Sequence, residues 1–309
     1  MNWKIKALIQ NLIAVLPGEL SQKVYYFVQR NYGDLRSTNP IEHFNAAAKL
    51  IKIIKDRNGS AEGKVFLEIG TGRRLNIPLF LWLAGAGKII TVDLNNYLKK
   101  ELIDEDIKYL LKNKNLAADY EAEFPFYKER VEVLAGYINE GKNLNDLLTM
   151  CSIEYRPNTD AAKLSGLEGK VDYFISNTVL EHIPEQNLKE ILKASSGYLN
   201  KEGLSIHFAD YIDHFWYSDK SIEKINFLKY GDTAWNFIAG NKYMYMNRLR
   251  HSGYLRIINE TGLTLIDASA ELDEDLKEKI INKRITLNSK FSNLHHDDLA
   301  TLNSWLVFK

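Results

Sequence analysis

The sequence predicts an α/β fold: a doubly wound, mostly parallel seven-stranded sheet with N-terminal helices and a helical, aromatic-rich cap insertion. Three observations predict it. A strand, a glycine turn, a helix and a second strand follow one another between residues 64 and 95. Short apolar runs then return at intervals to the end of the chain, and helix-period segments separate the early ones.

Residues 1 to about 60 read as a helical segment. In MNWKIKALIQNLIAVLPGEL, Trp3, Ala7, Leu8, Leu12, Val15 and Leu16 recur at helical spacing, which predicts an amphipathic helix. Lys4 and Lys6 precede the apolar stretch as they do in a secretion signal, but Gln10 and Asn11 interrupt it and no small-x-small cleavage site follows. The helix is expected to pack on the body of the protein or on a second subunit of a homodimer. Membrane-surface contact and secretion are the alternatives. NPIEHFNAAAKLIKIIKDRNG places Ile41, Phe44, Ala48, Leu50, Ile51 and Ile54 roughly on one face and closes at Asn58-Gly59.

Residues 61 to 309 read as one domain with insertions at about 97–150 and 211–260. KVFLEIG, LNIPLFLWLAGAG and KIITVDLN make a βαβ unit, which implies parallel pairing and a right-handed crossover. The next stretch is charged and helix-like, with VEVLAG (131–136) its one strand candidate. CSIEY, VDYFISN and GLSIHFA supply three more strands, with the helix EQNLKEILKASSGYLN between the last two. Residues 211–260 are aromatic-rich without strand alternation, and LTLIDAS and LNSWLVFK complete the set.

Composition narrows the function. Forty basic residues balance forty acidic ones in 309, so no net field favours nucleic acid. One cysteine, Cys151, fits a reducing, cytoplasmic compartment. No apolar run approaches the roughly 20 residues of a membrane span.

The glycine turn carries the chemistry. Ligands of such sheets bind beyond the carboxyl ends of the strands, where strand order reverses. Gly70 would allow a sharp exit from the strand, and Gly72 a close approach of ligand to backbone. Asp93, at the end of the next strand, suits two vicinal hydroxyls, with helix capping as its structural alternative. The pattern points to a nucleoside-containing ligand. It fits a dinucleotide poorly, because the third glycine of G-x-G-x-x-G is replaced by Leu75.

EIGTGR (68–73), TVDLN (91–95) and above all FISNTVLEHI (174–183) resemble motifs of the S-adenosyl-L-methionine-dependent methyltransferases with a Rossmann-like fold, of the bacterial methyltransferase-domain type (11/12-like). The chain keeps Glu68, Gly70 and Gly72 of the first motif and has Arg74 at its last glycine. DHF (213–215), NRLR (247–250) and SWLVFK extend the resemblance over most of residues 40–309, toward methyltransferases often associated with sugar or polysaccharide modification. The resemblance implies that Gly70 and Gly72 pass under the methionine part of the cofactor, with Glu68 on its amino group. It implies that Asp93 takes the ribose hydroxyls, that Asp160 and Ala161 read adenine, and that Ser176 and Asn177 end the fourth strand beside the methionine. VEVLAG is then not the third strand.

For the chemistry, His182, Asp210 and His214 are the candidates. A histidine beside a carboxylate could accept a hydroxyl proton as a methyl group is transferred to a small-molecule or saccharide acceptor. Glu181-His182 reads first as a structural pair, and no metal is required. His207 and Asp213 lie in the same stretch. Arg248 and Arg250 read as structural, and Phe215, Trp216, Tyr217, Tyr230, Trp235, Tyr243 and Tyr245 as the core of a cap. The rival functions are an NAD(P)-dependent oxidoreductase and a non-catalytic cofactor-binding protein.

Overall fold

A computed structural model describes residues 1–113, 120, 123–124 and 127–309. Seven strands are present among them: β1 (Val65–Ile69), β2 (Lys88–Val92), β3 (Ile153–Arg156), β4 (Val171–Asn177), β5 (Leu199–Asp210), β6 (Leu265–Leu272) and β7 (Thr301–Phe308). Their order is β3-β2-β1-β4-β5-β7-β6. The pairs β1/β2, β1/β4 and β2/β3 are parallel, while β6 runs antiparallel to β7. Strand order therefore reverses between β1 and β4, where a ligand crevice is expected in an α/β sheet. Each of the seven expected strands is present.

Two units divide the chain. The first comprises Ser37–Asn177, Lys193–Ile206 and Lys309. In β1, Phe66, Leu67 and Ile69 are all buried, as in a strand covered on both faces. The helix Asn76–Leu83 is apolar around its whole circumference and buried throughout, which is why its sequence shows no helical stripe. It lies against the helix Ile41–Lys55, whose buried residues Phe44, Ala47, Leu50, Ile51 and Ile54 recur at helical spacing. The Phe44 and Phe80 rings meet at 5.6 Å. Burying the four large side chains of that face contributes roughly 6–12 kcal/mol before chain entropy is subtracted.

VEVLAG lies inside the helix Tyr127–Glu140. Its V-x-V alternation covers only three residues, whereas Tyr127, Leu134 and Tyr137 form a buried helical stripe that decides the conformation. Residues 114–119, 121–122 and 125–126 of the expected insertion at 97–150 lie outside the described residues.

The second unit comprises Met1–Arg36, Thr178–Leu192 and His207–Phe308. Its N-terminal helix, Trp3–Ala14, buries Trp3, Ala7, Gln10 and Ile13. Leu12 is 61% exposed, Val15 beyond the helix end 82%, and Leu8 is exposed as well. The apolar face read from the sequence thus merged two. Residues 7 and 8 stand about 100° apart on a helix, and the bulk of Trp3, on the side of Ala7, selects which of the two turns inward. The Trp3 ring meets Phe215 at 5.4 Å and Tyr230 at 6.1 Å. Phe215, Phe227, Trp235, Met244 and Met246 continue this core. Among the described residues no helix is long and apolar enough to cross a membrane.

Candidate functional site

The predicted residues form two groups, one in each unit. In the first unit, β1 ends at Ile69 and the chain turns through Gly70 (φ 83°) and Gly72 (φ 66°). Both lie in the left-handed region that glycine tolerates best. A Cβ on Gly72 would meet no atom within 4 Å, so space beside this residue is open and only the backbone angle demands glycine.

Asp93 follows β2. Its Oδ2 accepts from the Gly72 amide at 2.9 Å, and its Oδ1 from the Asn95 amide at 2.8 Å. A carboxylate offers about four lone-pair sites, so these bonds leave room for a diol to donate to it. Burial raises the carboxyl pKa; the Gly72 and Asn95 amides and the nearby Arg73 charge oppose the shift.

Glu68, 5% exposed in β1, accepts from the Thr91 hydroxyl at 2.5 Å. Thr91 and Thr71 hydroxyls are 2.6 Å apart. Because Thr91 spends its proton on Glu68, Thr71 is the donor to Thr91. Burial pushes the Glu68 carboxyl up to about 7, with the Thr91 bond working against the shift and the Asp93 charge with it. Glu68, Thr91, Thr71, Gly72 and Asp93 thus make one polar ledge at the carboxyl ends of β1 and β2.

Arg74 turns away from this ledge. Its guanidinium donates to Asp106 Oδ1 at 2.5 Å and to the Leu102 carbonyl at 3.1 Å, both on the helix Lys100–Lys112. Arg74 is not among the residues with positive φ, so the backbone here makes no demand for the absent third glycine. Asp106 is buried, and that burial pushes its carboxyl up to about 6 against the pull of Arg74.

After β3, the Thr159 amide donates to the Asp93 carbonyl at 2.9 Å, which brings the Asp160 segment to the end of β2. Asp160 caps the short turn Ala161–Lys163 by accepting from the Ala162 amide at 2.9 Å, and pairs with Lys163 at 3.3 Å. The Ala161 carbonyl accepts from Tyr198 at 3.1 Å. At the end of β4, Ser176 is buried and Asn177 Nδ2 stands 3.5 Å from His43 Nδ1.

The second group begins one residue later. Thr178 holds φ 53°, an uncommon angle for a β-branched residue and one that marks strain near working parts of proteins. The turn Leu180–His182 follows. Asn247 of the NRLR stretch clamps it, with its amide on the Glu181 carbonyl at 2.8 Å and its side chain on the carbonyls of Leu180 (2.8 Å) and Ile183 (2.9 Å).

His182 Nδ1 lies 2.8 Å from the Tyr245 carbonyl. A carbonyl only accepts, so Nδ1 carries the proton and Nε2 presents a lone pair. Protein crowded around the His182 ring, one side of which still meets solvent, lowers its pKa to about 4 by desolvation, helped by His214. The two rings meet edge-on at 4.9 Å. His214 Nε2 is 3.2 Å from Asp210 Oδ2, and that oxygen accepts from the Tyr217 hydroxyl at 2.8 Å. Asp210 Oδ1 accepts from the Ile212 amide at 2.9 Å. His182, Asp210 and His214 therefore converge, with Glu181 beside them.

Other candidates have structural positions. His207 is fully buried, stacked at 5.3 Å on Phe308, and held neutral by burial with its pKa near 3. Asp213 caps the helix His214–Ser218 through the Phe215 amide at 2.9 Å. Arg250 is buried on the carbonyls of Tyr211, Leu299 and Thr301. Arg248 donates to Phe227 and Tyr230 carbonyls and pairs with Asp232. Phe215 and Trp235 are core, with Trp216 and Tyr230 packed on them, and Tyr243 stacks on Tyr25 at 3.8 Å. Tyr217, expected in the core of a cap, is instead 51% exposed and spends its hydroxyl on Asp210. Thr71, Thr91 and His43 had gone unsingled in the sequence: each is an ordinary residue locally and gains its place only through the fold.

No protein-family model and no curated protein matches the chain. Solved structures do resemble it. A protein of Pyrococcus horikoshii OT3, PH0226, is 14% identical over 92% of this chain and 97% of its own, at a TM-score of 0.49. Magnesium protoporphyrin IX methyltransferase from Synechocystis PCC 6803, with bound S-adenosylhomocysteine, is 12% identical over 99% of both chains at 0.46. Geranyl diphosphate C-methyltransferase from Streptomyces coelicolor A3(2) is 10% identical over 85% of this chain and 78% of its own, also at 0.46.

Proposed function

We propose that the chain is an S-adenosylmethionine-dependent methyltransferase that methylates a hydroxyl of a small-molecule or saccharide acceptor. The observation that carries this reading is the Asp93 carboxylate, fixed by the amides of Gly72 and Asn95 with lone pairs to spare for a diol. A ribose presents such a diol. In this reading Glu68 receives the ammonium of the methionine moiety, whose positive charge would offset the cost of ionising a buried acid. Gly70 and Gly72 let the ligand lie against the backbone. Asp160 and Ala161 read the adenine, and Asn177 borders the methionine.

The cofactor supplies an activated methyl group. With it bound, the acceptor oxygen would bond to the methyl carbon as the carbon–sulfur bond broke, leaving S-adenosylhomocysteine. The hydroxyl proton passes to His214, or to the free Nε2 of His182, with Asp210 stabilising the resulting charge. Positioning and exclusion of water supply most of the acceleration. Residues 211–260 serve as the wall or lid of the acceptor pocket.

Incubation with methyl-labelled S-adenosylmethionine and panels of saccharides and phenols tests this. Label is expected in an ether product whose yield falls in His214→Ala. No transfer to any hydroxyl compound by protein that binds the cofactor would return the assignment to a non-catalytic role.

A further inference from the structure

We infer that Glu181, His182 and His214 form a binding site for a divalent first-row transition metal ion. Each side chain offers one donor atom, and the three donors lie within 4.8 Å of one another. An ion bound at about 2.0–2.1 Å to each donor would draw them to about 3.4 Å apart, a movement that side-chain rotation can supply.

The independent observation is the state of Glu181. It is 2% exposed, and neither carboxylate oxygen has a hydrogen-bond partner. The amides of Glu181 and Asp210 lie near enough to favour its charged form, but neither is aligned as a bond. Buried carboxylates are ordinarily hydrogen-bonded, paired with a cation or bound to a metal. Among the described residues neither Glu181 nor Asp210 forms an ion pair with a lysine or arginine. Arg250, whose charge interacts with Asp210, gives its guanidinium to backbone carbonyls.

The histidines are set up as metal ligands are. His182 donates Nδ1–H to the Tyr245 carbonyl, which fixes its tautomer and leaves the Nε2 lone pair free to bind an ion. The Asp210 carboxylate, 3.2 Å from His214 Nε2 and anchored by Tyr217, would orient the second ring or complete the shell. Two imidazoles and one carboxylate suit zinc, iron(II), cobalt(II) or nickel(II) over calcium or magnesium. His182 is exposed and His214 half-buried, so the site has an open side. A hydroxyl entering there would be acidified by the ion, much as metal-bound water is; with both rings ligated, its proton would go to Asp210 in place of either histidine.

The inference uses only the second unit's residues and does not require the cofactor reading. Purified full-length protein, stripped with chelator, is dialysed against cobalt(II) or zinc(II) and analysed for metal. One ion per chain is expected, and it should raise the melting temperature. Glu181→Gln keeps the shape and removes the charge. It should melt at or above the wild-type temperature without metal, and bind at least about tenfold more weakly. His214→Ala should weaken binding similarly, while the exposed His295→Ala should leave it unchanged. No binding by the folded protein, or binding that survives both Glu181→Gln and His214→Ala, would overturn the site. Titration of the same samples with S-adenosylhomocysteine separates this from the methyltransferase reading, since either ligand can bind without the other.

Discussion

The Gly72 amide donates to the Asp93 carboxylate at 2.9 Å, so the turn after β1 and the acid after β2 are one hydrogen-bonded unit. Asp93 consequently has two roles, bracing the turn and offering lone pairs to a ligand. Asp93→Ala is expected to weaken S-adenosylhomocysteine binding by about 1.5–3 kcal/mol, the range for charge-assisted hydrogen bonds. Calorimetry on a variant shown to be folded by circular dichroism measures this. Unchanged affinity would remove Asp93 from the site.

Gly72→Ala isolates the backbone from the packing. The new Cβ meets nothing, so the cost is that of holding alanine at φ 66°, about 1–2 kcal/mol of stability. Urea unfolding gives the value. A loss within a few tenths of zero would mean that the turn relaxes freely and does not fix the amide on Asp93.

Glu68 makes stability depend on pH. Its folded pKa, about 7, exceeds its ordinary 4.5, so between those values the folded protein holds a proton that the unfolded chain has released. Stability is therefore full below the lower value and falls as pH rises through the window, by on the order of 3 kcal/mol. Asp106 and Asp213, both pushed up to about 6, act in the same direction. They are common to wild type and Glu68→Gln, so the difference between the two isolates Glu68. The variant is expected to gain on wild type from pH 5 to 8. Parallel curves would contradict a buried, proton-holding Glu68.

Arg74 is a brace. Arg74→Ala leaves Asp106 buried without its partner and is expected to cost about 2–4 kcal/mol of stability near neutral pH. Cofactor affinity should not improve, since the side chain points to the helix Lys100–Lys112 and away from the ledge. Tighter binding in the variant would show that the arginine obstructs the site.

His214→Ala separates chemistry from binding. Turnover should fall by more than cofactor affinity does, because His214 belongs to the Asp210 group assigned to the proton and not to the cofactor. A loss of affinity with normal turnover would move it out of the acceptor side.

The sheet was legible because its central strands, VFLEI, KIITV and VDYFISN, are short apolar runs bounded by turn residues, and because Gly70, Gly72 and Asp93 follow directly on two of them. The polar ledge was only half legible. Thr91 looks like any strand threonine until β1 and β2 pair in register and set its hydroxyl on Glu68. The face of the first helix was misread because Leu8 and Leu12 match helical spacing as well as Ala7 does. Only the aromatic cluster around Phe215 decides between them. The Glu181–His182–His214 group joins residues more than thirty positions apart, and no local pattern marks such a meeting.

The most direct test of the central claim is calorimetric titration of the folded protein with S-adenosylhomocysteine, run beside NAD. Micromolar binding of the first and none of the second is the predicted result. Binding of NAD alone would contradict the account and make the ledge a dinucleotide site. Binding of neither would leave the Asp93 carboxylate without the ligand assigned to it.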